Sequence, residues 1–182
     1  YWLQAAGQTD LLGRVLVLVL VREIAPLVAG VIVVGRSGIP MLIRLDELRT
    51  SGQLRMLAAQ GIDPLLLLVV PRVMAFAFSA FCLTMVLLTT ALLIGYFTGH
   101  AVGAVKISLY TFFDTLLKAM GPAEYLLLPV KSLAIGFVVG IASGLPVLTA
   151  DGTSDVGKLS ANGFVISVLA VFVVSGAVSL AL

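Results

Sequence analysis

The segment "RLDELRTSGQLRMLAAQGIDP" (residues 44–64) is the one charge-dense stretch in a chain that is otherwise almost entirely aliphatic. It lies between two long apolar runs, and its leucines recur at spacings of three to four residues with charged residues between them. This spacing places the leucines on one face of a helix, although Gly52 interrupts the pattern. The segment is therefore predicted to form one or two short amphipathic helices outside the hydrocarbon.

The composition of the rest of the chain is that of a membrane protein. Of the 182 residues, 60% are hydrophobic and only 11% are charged, whereas soluble domains carry about 25% charged residues. Several apolar runs reach the length of about 20 residues that a helix needs to cross a hydrocarbon core about 30 Å thick. We predict an all-α, polytopic membrane protein with a single transmembrane domain over residues 1–182.

Four transmembrane helices are expected, and the segments between them have different characters. The connector 98–125 contains aromatic residues suited to a membrane interface and is expected to hold a short surface helix. The segment 149–162 is rich in Gly, Asp, Ser and Asn and predicts a loop. The expected spans are 11–34, 65–97, 126–148 and 163–182.

The distribution of basic residues predicts the orientation of the chain. Residues 36–72 carry five arginines, against only Lys106 and Lys118 in the connector 98–125. Since loops rich in Lys and Arg stay in the cytoplasm, residues 36–72 are predicted to be cytoplasmic. The connector is then extracytoplasmic and the C-terminus lies on that same outer side.

Arg22 and Glu23 are ionisable residues in the middle of the first predicted span. Such residues cost about 2.5–3.5 kcal/mol each on insertion scales and usually face a bundle interior or a wet cavity. They are candidates for a substrate cavity, or for an ion pair that only ties helices together. Because adjacent residues point about 100° apart on a helix, the two are not expected to face one partner. Pro26 removes the hydrogen bond to the carbonyl of Arg22 and leaves that carbonyl free.

Small residues form a ridge along the third span. They repeat every four residues, which lines one helix face and allows another helix to approach closely. Plain helix packing is favoured over a transport role for this ridge, and Gly30, Gly35 and Gly38 admit the same interpretation. The members of the ridge are Ser132, Gly136, Gly140 and Gly144.

The sequence contains no recognisable catalytic motif. It lacks HExxH, GxSxG, a phosphate-binding loop and paired cysteines, so we expect no catalytic residue, metal site or cofactor within the chain. The basic residues do not form a nucleic-acid-binding face. In the segment 44–64, acidic residues alternate with arginines, which favours a protein partner over anionic lipid headgroups.

Three segments in this order resemble the MlaE-type permeases, the membrane subunits of ABC transporters that work with MCE-domain proteins on lipids. They are "VREIAPLVAGVIVVGRSG" (21–38), "LRTSGQL" (48–54) and "GIDPLLLLVVPRVMA" (61–75). The resemblance covers nearly the whole chain. The family has an interfacial helix and a further span ahead of residue 11, and both are expected to be missing here.

The resemblance implies a non-enzymatic subunit that transports phospholipid for envelope lipid trafficking. Residues 44–60 would be the cytoplasmic coupling helix, while Arg22, Glu23 and Pro26 would line the lipid cavity. A second copy of the chain, a separate ATPase that holds ATP and Mg, and an MCE-domain protein are the implied partners, in a bacterial inner membrane with the C-terminus in the periplasm. The implied ATPase contacts are Arg49, Gln53, Leu54, Arg55, Leu57 and Asp63.

The alternative is a secondary transporter or channel in which Arg22 and Glu23 act as an ion or proton relay. Such proteins often show broken helices in both halves. The second half is judged to lack a charged, proline-bearing span that would match the first. This alternative is therefore ranked lower.

Overall fold

A computed structural model of the chain describes residue 15 and residues 17–101, 103, 108–120, 122–149 and 156–181. These residues form helices joined by short turns, with no strand among them, and four of the helices are long and apolar enough to cross a membrane. The predicted all-α membrane fold with four spans is confirmed. The four spans are Val19–Thr50, Leu66–Ala101, Tyr125–Gly144 and Asn162–Leu180.

Helix α1 is an unbroken rod from residue 17 to residue 50, made of α-helical and wider π-helical stretches in alternation. The span predicted over 11–34 ends inside this helix, which continues through residues 35–40. The helix passes through these residues without interruption. Its consecutive stretches are Val17–Ile24 (π), Ala25–Val33 (α), Val34–Gly38 (π) and Ile39–Thr50 (α).

Prolines explain why the helix widens instead of breaking. A π-helical stretch ends two residues before Pro26, before Pro40 and, in the next long helix, before Pro71. A proline has no N–H to give to the carbonyl four residues earlier. A π turn, in which bonds run from i to i+5, lets the chain continue past the missing bond. A Gly-rich stretch followed by proline therefore lies inside a continuous helix here, although such a pattern often marks a turn.

A helical hairpin projects from the far end of α1. It consists of the last turns of α1, a tight turn at Gly52 and the short helix α2 (Gln53–Ala59). Gly61 closes α2 in the left-handed conformation, and its N–H bonds to the carbonyl of Ala58 while that of Ile62 bonds to Leu57, as in a Schellman cap. The predicted coupling helix 44–60 is thus two helices, of which the first belongs to the membrane rod.

Three more helices complete the fold together with the long second span. Helix α3 contains the π-helical stretch Leu65–Val69 and the α-helical stretch Val70–Ala101. The connector contains α4 (Leu109–Ala119), which Ser108 caps through a hydrogen bond from the Thr111 N–H. The last two spans lie within α5 (Pro122–Thr149) and α6 (Val156–Ala181).

The hairpin and α4 lie at opposite ends of the bundle. At one end, Leu45 of α1 packs in a cluster with Val69 of α3 and Val147 of α5. At the other end, Leu116 of α4 packs in a cluster with Val21 of α1. The hairpin is therefore on the side where α5 ends and α6 begins, and the connector helix is on the side where α6 ends.

The glycine ridge of α5 lies against α3. A Cβ atom on Gly136 would stand 2.5 Å from the carbonyl oxygen of Phe76, and one on Gly140 would stand 2.9 Å from Val73 Cα. Gly30 of α1 makes a similar approach to Ile135 of α5. Gly35 differs from the expectation, since a Cβ there would meet nothing within 4 Å.

These contacts predict opposite effects of one substitution at two helical glycines. Gly136→Ala forces a methyl group into the backbone of α3 and should cost about 1–3 kcal/mol of stability. Gly95→Ala meets nothing within 4 Å and should stabilise α3 by about 0.5–1 kcal/mol through helix propensity. Thermal unfolding of both variants in detergent, followed by size-exclusion chromatography, measures the two shifts. Equal melting temperatures would contradict the packing role of the ridge.

Candidate functional site

Five polar side chains from three helices meet inside the apolar bundle. Helix α1 contributes two of them, α5 contributes one and α6 contributes two that are four residues apart. They form a polar cluster, which consists of Arg22, Glu23, Lys131, Ser175 and Ser179.

Lys131 is the centre of the polar cluster. Its side chain is 0% exposed, and its ammonium donates to Glu23 Oε2 at 2.9 Å, to Ser179 Oγ at 2.6 Å and to the Arg22 carbonyl at 2.8 Å. An ammonium has three N–H donors, so each donor has an acceptor. A buried charge is tolerated when it is paired and hydrogen-bonded.

The backbone carbonyl of Arg22 is free to accept from Lys131 because of the proline four residues later. The carbonyl of Arg22 is the one that Pro26 deprives of its helical hydrogen bond, and this carbonyl accepts the bond from Lys131 Nζ. Pro26 itself is buried in α1. The proline thus creates a backbone acceptor at the depth where a lysine from another helix requires one.

Both oxygens of the Glu23 carboxylate are hydrogen-bonded. The Ser179 hydroxyl donates to Oε1, and the Ser175 hydroxyl approaches Oε2 at 3.4 Å on the same side as Lys131. In contrast to Lys131, the Glu23 side chain is 35% exposed. The carboxylate is therefore held in place by α5 and α6 while part of it faces outward.

Arg22 and Glu23 share one partner, against the expectation from their adjacency. Arg22 Nη2 donates to the carbonyl of Ser179 at 2.8 Å, while Glu23 accepts from the hydroxyl of the same residue. Both belong to the π-helical stretch Val17–Ile24, where the wider turn brings consecutive side chains closer together in angle. The last turns of α6 are thereby attached to α1.

Lys131, Ser175 and Ser179 are the functional candidates that the sequence interpretation missed. A signal was available, because Lys131 is a lysine inside an apolar span with Pro129 two residues before it. The statement that the second half lacks a charged, proline-bearing span is therefore wrong. The two serines, four residues apart on α6, lie on one helix face.

The polar cluster lies within the membrane-spanning region, toward α4. Lys131 is nine residues, or about 13 Å along the helix axis, from the start of α5 at Pro122, and it belongs to the apolar stretch long enough to cross a membrane. Val21 and Leu128, next to the cluster in sequence, pack with Leu116 of α4. The charges therefore lie nearer the connector side of the bundle than the hairpin side.

An apolar groove of about 340 Å³ opens on the outer face of the bundle beside the polar cluster. It begins at Ile24, directly after Glu23, and follows α1 along its contact with α6. Its lining contains no polar residue and consists of Ile24, Leu27, Val28, Val31, Ile32 and Phe172. Such a surface suits an acyl chain better than an ion or a sugar.

The hairpin presents a mixed surface. Helix α2 has no buried residue, Arg55 is exposed, and Met56 is 64% exposed. Of the other predicted contacts, Gln53 and Asp63 are exposed, while Leu54 and Leu57 are half-buried. Arg49 is different, because it lies 3.7 Å from the buried carboxylate of Asp46 at the base of the hairpin.

The described residues contain no group of three His, Cys, Asp or Glu side chains that could hold a metal ion. Lys106, which the prediction of orientation used, lies outside the described residues.

The asymmetric burial of the ion pair predicts a non-additive double-mutant cycle. Glu23→Leu leaves the fully buried Lys131 ammonium without its counter-charge and should cost about 3 kcal/mol. Adding Lys131→Met removes the stranded cation and should recover most of that loss. Unfolding by SDS titration in mixed micelles gives the free energy of unfolding for the four proteins. If the two single losses simply sum in the double variant, the two residues do not act as a pair.

Comparison with known proteins identifies permeases as relatives of this four-span chain. The family model described as Permease MlaE matches residues 1–181. The chain is 32% identical over 174 residues to a probable ABC transporter permease protein of Synechocystis, covering 92% of this chain and 63% of the relative. It is 27% identical over 165 residues to a probable ABC transporter permease protein of Rickettsia prowazekii, covering 89% and 62%.

A chloroplast protein of Arabidopsis thaliana, TRIGALACTOSYLDIACYLGLYCEROL 1, is 27% identical over 168 residues, covering 92% of this chain and 47% of that protein. The chain thus spans about half to just under two thirds of the length of these relatives. The all-helical fold with four spans is that expected of a membrane permease, and the family model matches nearly every residue of the chain. The chain belongs to the MlaE permease family of ABC transporter membrane subunits.

Proposed function

We propose that this chain is the membrane subunit of an ATP-driven transporter that moves phospholipid between the bilayer and an MCE-domain partner. The chain itself does no hydrolysis. A separate ATPase binds ATP and Mg and docks on the hairpin. Two copies of the chain form the membrane part of the transporter in a bacterial inner membrane, with the hairpin in the cytoplasm and the end of α6 in the periplasm.

The observation that carries this proposal is the continuity of α1. One rod connects the hairpin, where a partner can bind, with Glu23, which contacts α5 and α6. From Glu23 to Thr50 the rod has 27 residues of helical rise, or about 40 Å. A helix without a break transmits a displacement at one end to the other. Closure of an ATPase on the hairpin would therefore move the Glu23 carboxylate relative to Lys131.

The apolar groove supports a lipid as the transported molecule. It lies directly beside Glu23 on α1, so a displacement of the rod alters the groove and the polar cluster together. The name of the Arabidopsis relative contains that of a glycolipid, and the other two relatives are named as probable ABC transporter permeases. A lipid substrate is consistent with the groove and with the first name, and an ATPase partner is consistent with the other two names.

One observation supports the alternative of a proton- or ion-coupled transporter. The ion pair between Glu23 and the buried Lys131 is the kind of group that relays protons in such proteins. The alternative mechanism predicts that an ion gradient drives lipid movement without nucleotide. Lipid transport in proteoliposomes with and without ATP, and with the gradient collapsed by an ionophore, distinguishes the two mechanisms.

The docking role of the hairpin predicts loss of the ATPase on charge reversal. Arg55→Glu should lower the amount of ATPase that copurifies with the permease by about tenfold, since like charges across an interface cost affinity. Arg49→Glu is a poorer test, because it also breaks the contact with Asp46. Lys118→Glu on α4, at the opposite end, is the matched control and should leave copurification unchanged. Equal recovery with all variants would argue against the hairpin as the docking surface.

The role of the polar cluster is tested by transport itself. Replacing Arg22 and Glu23 by alanine, singly, in the assembled transporter should strongly reduce ATP-driven lipid movement between vesicles. ATP hydrolysis, measured in parallel, reports whether the ATPase still functions. Thr98→Ala is an exposed control near the same end of the bundle. Lipid movement at the wild-type rate in both variants would exclude the cluster from the transport path.

A further inference from the structure

The buried face of α1 repeats every four residues along the rod. A pure α-helix has about 3.6 residues per turn, so residues four apart drift around its surface. The π-helical stretches Val17–Ile24 and Val34–Gly38 are wider and offset this drift. One line of buried residues therefore stays on the same side of the rod from residue 26 to residue 46. The line consists of Pro26, Gly30, Val34, Gly38, Leu42 and Asp46.

The two helices on which this line packs have the same repeat. Gly30 approaches Ile135 of α5 and Val171 of α6, and Gly38 approaches Ser143 of α5. A shift of α1 by one repeat, about 6 Å along its axis, would therefore again place buried positions against buried positions. The repeat on α5 consists of Lys131, Ile135, Val139, Ser143 and Val147. The repeat on α6 consists of Gly163, Ser167, Val171 and Ser175.

Two serine hydroxyls of α6, one repeat apart, are within reach of the Glu23 carboxylate. The Ser179 hydroxyl donates to Oε1, whereas the Ser175 hydroxyl is 3.4 Å from Oε2, at the limit of a hydrogen bond. Ser175 is 1% exposed, and it lies on the hairpin side of Ser179 because α6 begins at that side. A shift of α1 by one repeat toward the hairpin would bring Glu23 level with Ser175. The flexible stem of Lys131 allows its ammonium to follow.

The other end of the same line holds a buried carboxylate with little compensation. Asp46 is 3% exposed, and its Oδ1 atom accepts no hydrogen bond from the described residues. Arg49 Nη1 stays 3.7 Å from that atom. A buried polar group without a hydrogen bond is costly. Thr50, one repeat further along α1, is exposed, so a shift toward the hairpin would carry Asp46 to a level that water reaches.

From the two ends of this contact we propose that α1 has a second register, displaced by four residues toward the hairpin. In the register described above, Glu23 binds Ser179 and Asp46 is buried. In the second register, Glu23 binds Ser175 and the Asp46 carboxylate is hydrated. The inference rests on the proposed function and adds the motion by which an ATPase on the hairpin acts on the polar cluster. Shifts of one element past another by one turn are an established form of switching in proteins.

Disulfide crosslinking distinguishes the two registers in the assembled permease and ATPase in nanodiscs. In a Cys82→Ala background, one protein carries Val34→Cys with Val139→Cys, since these two valines pack in one cluster. A second protein carries Val34→Cys with Ser143→Cys, which lies one repeat closer to the hairpin. Mass spectrometry quantifies each intrachain disulfide after oxidation, without nucleotide and with a nonhydrolysable ATP analogue. We expect the 34–139 link without nucleotide, and the analogue should raise the 34–143 link about tenfold.

Two variants test the two ends of the contact. Ser175→Ala removes the hydroxyl that Glu23 uses in the second register, and Asp46→Asn lowers the cost of burial in the first. Each should lower the ratio of the 34–143 link to the 34–139 link about tenfold in the presence of the analogue, the effect of one hydrogen bond to a charged group. The matched controls should leave the ratio unchanged. They are Ser167→Ala, a buried serine on the same face of α6, and Asp114→Asn on α4.

A distance measurement tests the displacement without a crosslink. Spin labels are attached at Ile43→Cys on α1 and Tyr110→Cys on α4, both exposed positions, with one labelled chain in each complex. The ATP analogue should lengthen the distance between the labels by about 6 Å. Phe164→Cys with Tyr110→Cys is the matched control, since α6 stays in place and that distance should not change. An unchanged distance between residues 43 and 110, with a persistent 34–139 link, would overturn the second register.

Lipid movement by the wild-type complex is measured in the same preparation. If ATP drives lipid movement while the links and the distance stay constant, the second register is refuted and the proposed function stands. If the analogue shifts the register but ATP moves no lipid, the proposed function fails and the second register stands. A ratio of links that Ser175→Ala and Asp46→Asn leave unchanged would refute the roles assigned to the two ends.

Discussion

The arrangement of the bundle depends on one buried ammonium group. Lys131 has no contact with solvent, so its three N–H donors must be matched within the protein. The acceptors come from Arg22, Glu23 and Ser179, which lie on the first and the last spans. Satisfying one side chain therefore fixes the relative positions of three helices. Glycine contacts at Gly136 and Gly140 fix the remaining one, because α3 must approach the backbone of α5 closely there.

Three prolines of this chain lie inside long helices that they would be expected to end. Each of Pro26, Pro40 and Pro71 follows a π-helical stretch that contains the carbonyl deprived of its bond. At Pro26 that carbonyl is used, because it accepts from Lys131. At Pro40 the corresponding residue is Arg36, whose side chain is exposed. The same backbone device thus occurs at both positions without breaking the rod.

The sequence predicted what local pattern and composition determine. The number of spans follows from hydrophobic length, the exposed hairpin from its charge, and the free carbonyl at Arg22 from the chemistry of Pro26. The end of the first span was misplaced, because Gly-x-Pro patterns usually mark turns and the π-helical solution depends on packing. Lys131 is visible in the sequence as a lysine inside an apolar span, but its role is not. Its partners lie 48 to 109 residues away in sequence, and no periodicity encodes contacts over that separation.

The correction of the first span changes how the hairpin must act. Had the chain turned at residues 35–40, the amphipathic segment would be a separate helix joined to the span by a flexible loop, and little displacement would reach Glu23. Because the rod is continuous to Thr50, its hairpin end cannot move without moving the carboxylate. The rod is held at Glu23 by contacts with Lys131 and Ser179 and at Gly30 by close packing on Ile135. Beyond Gly30, Val34 is buried among Val139 and Val171, and Gly38 packs closely on Ser143. Helix α5 therefore also holds the rod at the π-helical stretch Val34–Gly38, so a displacement of the hairpin would have to carry the rod along α5 as one piece.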